Sequence, residues 1–198
     1  NETFDNVDNM PFHLTLGRFA DIAFIGVNFE PFSIIGARLK AEAPFKVVLP
    51  AGNVGGWKGY IPTKEAFMEH AKKQQAECVP MKTPFDENSE EVFYEKSLEA
   101  LCKLAGVSIN RIYAGKSGVS QGGNEATYTF TFDKMVSPDK IVIDFAQKLR
   151  TDCASDFTLC LYNDSDEIVF TKDFTDNSVN YLGVFMNKES FSKAEIKV

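Results

Sequence analysis

The stretch Ile22-Ala23-Phe24-Ile25-Gly26-Val27-Asn28-Phe29-Glu30-Pro31-Phe32 decides the fold of the amino-terminal half of the chain. Its first six residues form an apolar, strand-like run, and a run with helical spacing follows from Pro31 to Ala41. A second apolar run, Lys46 to Pro50, ends at a glycine-rich turn that leads to Tyr60. Two strand ends therefore bring the Glu30 carboxylate and the Tyr60 phenol into loops that could face one another, as in the sites of α/β proteins.

The neighbouring residues continue this mixture of strands and helices. Thr63, after Pro62, is a good N-cap for a helix that runs to about Gln75. Another helix starts at Asn88 or Ser89 and is stopped by Gly106. Pro31 suits a first helical turn, where its missing N–H costs nothing. Short strands are predicted at Leu14 to Leu16, Asp21 to Val27 and, as a buried strand, Val47 to Leu49.

The sequence pattern changes after Gly106. Two glycine-rich segments, Gly115 to Gly118 and Gln121 to Asn124, indicate a linker or loop. From Ala126 onward apolar and polar residues alternate, and turn residues recur about every 10 to 12 positions, as in an antiparallel sandwich. We therefore predict an α+β protein: a mixed α/β amino-terminal unit, residues 1–110, followed by an antiparallel β-sandwich, residues 111–198.

Charge and composition narrow the classes of partner. The formal net charge of −7 argues against a nucleic-acid or anionic-membrane partner, since phosphate contacts require lysine and arginine. No apolar run approaches the roughly 20 residues of a transmembrane helix. The chain lacks an initiator methionine, which predicts a mature or trimmed product. We expect free, buried thiols at all four cysteines, with a local disulfide between Cys153 and Cys160 as the alternative.

Three residues stand out as candidates for chemistry, and each has a structural alternative. Glu30 could bind a metal or act as a base, or could simply sit in the first turn of a helix, where the macrodipole favours an acid. Tyr60 could be a ligand, or could pack on Trp57 or Pro62. Asn53 lies in a turn where its tolerance of the left-handed region gives it a structural role.

Other polar residues fit known sites less well. His13 and His70 do not make a metal site alone, because catalytic zinc needs three protein ligands. Ser117 and Ser120 have no G-x-S-x-G elbow around them, and Gly115 to Gly118 is not a P-loop. Four acidic turn residues of the second unit could attract calcium: Asp164, Asp166, Asp173 and Asp176. Acidic residues in such turns are, however, more often simply exposed to solvent.

Four segments carry a resemblance to a known family: Leu14 to Gly26, Glu30-Pro31-Phe32, Ala51-Gly52-Asn53 and Gly59-Tyr60-Ile61-Pro62-Thr63-Lys64-Glu65. Together they resemble the carboxy-terminal part of the catalytic domain of neutral/alkaline (non-lysosomal) ceramidase-like proteins. The resemblance covers roughly residues 14 to 105, and the family's β-sandwich-like tail would correspond to residues 125 to 198. It implies that Glu30 and Tyr60 are zinc ligands, with Asn53 beside the site. The family's zinc activates attack on an N-acyl bond of a lipid amide.

The chain departs from that family at several positions. The histidine ligands and the catalytic serine belong to segments upstream of those present. Asn28-Phe29 stands where relatives have Pro-Gly, and Ala76 stands where they have an active-site tyrosine. The chain would therefore supply two zinc ligands, which make only an incomplete site, and no catalytic residue. Whether the chain is an enzyme is thus left open.

Two hypotheses about function follow. The first is the carboxy-terminal portion of a ceramidase-like, zinc-dependent amidohydrolase, inactive alone, with a missing amino-terminal segment or a lipid-amide substrate as partner. The second is a non-catalytic secreted or cell-envelope binding protein whose β-sandwich contacts a glycan, a lipid or another partner. The resemblance implies an extracytoplasmic location, since its members are usually exported.

Overall fold

The computed structural model describes residues 12–73, 83–122, 125–145 and 154–198. The chain divides into two compact units, Asn1–Ile109 and Asn110–Val198. The helices and strands of the first unit, together with the strands of the second, make this an α+β fold with a β-sandwich, which confirms the predicted fold class. That residues 1–110 and 111–198 are two separate domains stays a prediction.

The first unit contains three helices and five strands among its described residues. In chain order these are β1 (Leu14–Phe19), β2 (Ile22–Val27), β3 (Glu30–Pro31), α1 (Ser33–Glu42), β4 (Val47–Ala51), β5 (Tyr60–Ile61), α2 (Lys64–Lys73) and α3 (Ser89–Ala105). β2 lies between β1, its antiparallel hairpin partner, and β4, which runs parallel to it. One face of this sheet joins α1 and α3 in a core that includes Ile25, Leu39 and Leu98.

Two details of the first unit differ from the sequence prediction. The helix predicted from Pro31 begins at Ser33, because Pro31 belongs to β3. The hydrogen bonds of β3 use the backbone N–H groups of Glu30 and Phe32, so they need no N–H group from the proline. The strand around Val48 is not buried on both sides. Val47 and Leu49 are 44% and 51% exposed, because successive side chains of a strand point to opposite faces.

The predicted helix ends are confirmed. Ala66 N donates to Thr63 Oγ1 over 3.1 Å, so Thr63 caps α2. Gly106 ends α3 with φ 77°, a left-handed conformation that glycine adopts without a Cβ clash. The predicted end of α2 at Gln75 lies outside the described residues, as does Ala76.

The second unit is an antiparallel sandwich. Its described strands are β6 (Lys116–Gly122), β7 (Glu125–Val136), β8 (Lys140–Asp144), β9 (Phe157–Tyr162), β10 (Ile168–Phe174), β11 (Tyr181–Phe185) and β12 (Phe191–Lys197). They form a five-stranded sheet in the order β10-β9-β12-β7-β6 and a β11-β8 pair. Alternate residues of β9 and β12, among them Leu159, Leu161 and Ile196, enter one core.

One prediction for this unit is wrong. The glycine-rich segment interpreted as a linker or loop is an edge strand, β6, which keeps an unbroken register with β7 from Lys116↔Thr131 to Gly122↔Glu125. Its glycines do not prevent pairing, because the backbone ladder needs no side chain.

No helix among the described residues is long and apolar enough to cross a membrane. Cys102 and Cys160 are buried thiols that form no disulfide, as predicted; Cys78 and Cys153 lie outside the described residues.

Candidate functional site

The structure brings Glu30 and Tyr60 together. They are register partners in the two-residue parallel pairing of β3 with β5. Two backbone hydrogen bonds fix this pairing: Glu30 N donates to Gly59 O over 3.0 Å, and Phe32 N donates to Ile61 O over 3.0 Å. The pairing joins two strands too short to be stable alone.

Alternation assigns the side chains of this pairing to two faces. Phe29 and Ile61, which are 0% and 1% exposed, belong to the core. Because successive side chains of an extended chain point to opposite faces, Glu30 and Tyr60 share the other face, and the ring of Phe32, which also packs against the core, borders it. Glu30 and Tyr60 are both half-buried there.

Three aromatic rings meet on this outer face. The Tyr60 ring lies edge-on to Phe32, with centroids 6.3 Å apart and an interplanar angle of 86°. It is also edge-on to Trp57, again at 6.3 Å and at 85°. Trp57 nonetheless keeps 46% of its surface exposed. The packing alternative for Tyr60 is thus present, and it leaves the indole of Trp57 open.

The segment that carries Trp57 is anchored at its start and end. Asn53 N donates to Phe29 O and Val54 N donates to Val27 O, each over 2.8 Å. Asn53 has φ 60°, so the turn role predicted for it is confirmed. A Cβ on Gly52 would lie 2.9 Å from Phe29 O, which explains a glycine at this close approach.

Glu30 differs from the paired acids of the first unit. It does not lie in the first turn of a helix, so the macrodipole does not explain it. The half-buried carboxylate takes part in no ion pair or side-chain hydrogen bond within the described ranges, whereas Glu90, Glu91 and Asp21 pair with Arg38 or Lys46. It therefore remains available to a ligand at the Tyr60 ring.

The residues present do not complete a zinc site. No group of three His, Cys, Asp or Glu side chains that could hold a metal occurs in the part of the chain that the structure describes. His13 is exposed, and its backbone N–H donates a hydrogen bond to Asn28 Oδ1 over 3.0 Å. The His70 side chain is outside the described residues. Ligation of zinc by Glu30 and Tyr60 stays a prediction, and no reaction step is derived from it.

A shallow pocket of about 220 Å³ lies near this face, at the carboxyl ends of β2 and β4. Apolar groups line most of it, including Val27, Phe32 and Phe93. Neither Glu30 nor Tyr60 lines it, but Phe32 does, so the pocket adjoins the aromatic face at this residue.

The second unit contains a different polar cluster, which is internally paired. Tyr162 Oη donates to Glu195 Oε2 over 2.7 Å, and Lys197 Nζ donates to Tyr162 Oη over 3.2 Å. Lys193 Nζ lies 4.2 Å from the Tyr162 ring centroid and pairs with Asp166. Burial and the hydrogen bond to Glu195 both raise the pKa of Tyr162. Because its donors and acceptors satisfy one another, this cluster stabilises the sheet.

The predicted calcium candidates are also engaged or dispersed. Asp166 pairs with Lys193 over 2.6 Å, and Asp173 accepts a 2.7 Å hydrogen bond from Thr158 Oγ1. Asp164 and Asp176 form no three-residue acidic group with them in the described ranges. Ser117 and Ser120 lie in β6.

Sequence reasoning named Trp57 only as a packing partner and missed it as an exposed aromatic. The available signal was its position directly after Gly55-Gly56, both of which have positive φ (78° and 138°). Glycines at such angles mark a turn, and a large aromatic residue at a turn is easily left exposed.

Comparison with known proteins assigns no family. No family model and no curated protein matches the chain. Among solved structures it is similar to a Streptococcus pneumoniae fucose binding module at 16% identity and a TM-score of 0.34, covering 37% of this chain and 52% of that one. It is similar to CBM32-3 from a family 31 glycoside hydrolase of Clostridium perfringens at 11% identity and a TM-score of 0.31, covering 46% of this chain and 58% of that one.

A third similar structure is chitosan-binding module 1 from a chitosanase/glucanase of Paenibacillus sp. IK-5, at 10% identity and a TM-score of 0.31. That match covers 42% of this chain and 63% of the module. The chain thus spans between half and two thirds of each of these modules. Similarities this low do not place the chain in a family.

The ceramidase resemblance is wrong. The three similar structures named above are carbohydrate-binding modules and not ceramidases, and no family model matches the chain, so a zinc-dependent, sphingolipid-directed hydrolase is not supported either. The Gly-Tyr-Ile-Pro-Thr-x-Glu segment has a local explanation. Gly59 has φ 107°, Thr63 caps α2, and Glu65 is the acid of its first turn, so a strand followed by a helix start requires these residue types by itself.

Proposed function

We propose that this chain is a non-catalytic binding protein that takes a saccharide at the face formed by Glu30, Trp57 and Tyr60. The observation that carries the proposal is the half-exposed indole of Trp57, supported edge-on by Tyr60 on an anchored segment. Non-catalytic surface binding was the second of the two functions that the sequence left open.

A saccharide fits the chemistry of this face. The apolar C–H face of a pyranose ring can stack on an exposed indole, while its hydroxyls need hydrogen-bond partners at the ring edge. The Glu30 carboxylate supplies acceptors beside Tyr60, whose hydroxyl can both donate and accept. Because hydrogen bonds fix the ends of the pairing, little conformational entropy is lost on binding.

The β-sandwich gives less support to this function than the first unit. Its most connected polar cluster, around Tyr162, is paired internally. We therefore propose the first unit as the binding element and the sandwich as its companion. An extracytoplasmic location remains part of the proposal, since it is where free glycans and glycan surfaces are met.

A glycan array tests the proposal. We expect the native chain to bind a defined set of glycans and Trp57→Ala to lose at least about thirtyfold in affinity, as when a central aromatic anchor is truncated. Tyr113→Ala is the matched control, because Tyr113 is an exposed aromatic outside the face. Binding that survives Trp57→Ala, or no binding to any glycan, would overturn the proposal.

A further inference from the structure

Glu30 is a half-buried carboxylate whose register partner, Tyr60, contacts the rings of Phe32 and Trp57. It shares a face and a register position with Tyr60, and no cation of the described residues pairs with it. Elsewhere in the same unit, Arg38 pairs with Glu91 at 3.0 Å and Lys46 pairs with Asp21 at 2.9 Å. Glu30 therefore carries a charge that its surroundings leave uncompensated.

The three rings are arranged in a way that suits a cation. Tyr60 is nearly perpendicular to both Phe32 and Trp57, so neighbouring ring faces meet at a corner and do not stack flat. An ammonium group is attracted to the face of an aromatic ring within about 6 Å of its centroid, most strongly to tryptophan. A carboxylate beside such a corner adds direct charge pairing.

From this geometry we infer that the ligand of this face carries an ammonium group, so that the site prefers an amino sugar to a neutral one. The inference rests on the proposed saccharide binding and specifies its ligand. The ammonium lies between the Glu30 carboxylate and the Tyr60 and Trp57 rings, while the sugar ring covers the exposed indole. The net charge of −7 favours the approach of a cationic ligand over long range.

Lys58 is the one described lysine in the segment between Gly55 and Tyr60. It is exposed and forms no ion pair with Glu30 in the structure. Its charge weakens the attraction of the face for a cation without neutralising Glu30. Lys58→Met therefore tests the sign of the charge preference, since it should raise affinity for a cationic ligand.

Two oligosaccharides with the same backbone, one cationic and one neutral, test the inference. A β-1,4-linked glucosamine oligomer and its fully N-acetylated counterpart are titrated separately into the full chain, at a pH that keeps the amino groups protonated. We expect the glucosamine oligomer to bind about tenfold more tightly at low salt, with the preference shrinking as salt screens the charges.

Glu30→Gln keeps the shape and the acceptor oxygen of the side chain but removes its charge. We expect it to abolish the preference, so that the variant binds the two oligomers equally well, and circular dichroism checks that the variant is folded. Equal binding of the two oligomers by the native chain overturns the inference. So does a Glu30→Gln variant that is folded and retains the preference.

The failure of this inference can be told from failure of saccharide binding itself. If neither oligomer binds but another glycan of the array binds at Trp57, the amino-sugar inference is wrong and the saccharide proposal stands. If no glycan binds, both are wrong.

Discussion

Single side chains fix the local geometry on which the proposed face depends. Thr63 begins α2 three residues after Tyr60, because its hydroxyl accepts a hydrogen bond from Ala66 N. Gly59 has φ 107°, a value that L side chains rarely adopt. The Thr63 role could be predicted from the sequence, since capping depends on neighbours in the chain. The pairing partner of Glu30 could not, because it lies 30 positions away, at Tyr60.

Thr63→Ala should destabilise the first unit by about 1 kcal/mol, since it removes the hydroxyl that caps α2. Urea unfolding followed by the fluorescence of Trp57, the single tryptophan, measures this change. Thr63→Ser keeps a hydroxyl and should lose much less. Equal losses for both variants would show that the cap hydrogen bond does not matter.

Glu195 should make the second unit less stable in acid. Burial acts to raise the pKa of its carboxyl, but hydrogen bonds from Tyr162 and Lys197 and the charges of Lys197 and Lys193 outweigh burial, so the pKa lies below the ordinary value of 4.5. The folded state thus binds this proton less tightly than the unfolded state does. The resulting stability is present above the ordinary glutamate pKa and is lost as pH falls through the lowered value.

Glu195→Gln should therefore flatten the fall in the urea midpoint between about pH 6 and about pH 3, followed by circular dichroism of the sheet. The control is Glu125→Gln, because Glu125 is exposed and forms no ion pair in the described ranges. If both variants keep the native pH profile, the Tyr162 cluster contributes nothing to acid stability.

Strands and helices show which parts of the fold the sequence contains locally. The alternation along β7 and β9 predicted the sandwich, because one buried face forces a period of two. The helix stop at Gly106 was equally local. β6 was missed because Lys116-Ser117-Gly118-Val119-Ser120 has no apolar alternation, and its strand character comes from pairing with β7.

Gly106→Ala should destabilise the chain by about 1 kcal/mol, because its φ of 77° strains any residue with a Cβ. Gly118→Ala is the matched control: a Cβ there also meets no atom within 4 Å, and its φ is not in the left-handed region. Thermal unfolding of both variants gives the comparison. A loss at Gly118 as large as that at Gly106 would contradict the backbone explanation.

Leu161→Ala should destabilise the sandwich by about 3 kcal/mol, because Leu161 is 0% exposed in its core and truncation leaves a cavity. Ile168→Ala, in the adjacent strand of the same sheet, is the control, since Ile168 is 58% exposed. Urea unfolding followed by circular dichroism measures both. Similar losses would mean that the register placing Leu161 inward is wrong.

At the scale of the whole molecule, the described residues form two apolar cores that share no residue, one built by α1, α3 and the β2 sheet, the other by the sandwich. The proposed binding face belongs to the first unit alone. The residues of this face lie in two strand ends and a turn. The sequence therefore showed each residue but could not show that the rings of these residues meet at a corner. That corner exists because the β3–β5 pairing brings the rings of Phe32 and Tyr60 together.

The central claim is that a saccharide contacts Trp57, and the most direct measurement is a fluorescence titration of the native chain. Because Trp57 is the single tryptophan, any change in indole emission reports on this residue. We expect a saturable shift in its emission with the glucosamine oligomer and with each other glycan that the array shows to bind. Saturable saccharide binding by calorimetry with unchanged Trp57 emission would contradict the claim, since the ligand would then bind elsewhere on the chain.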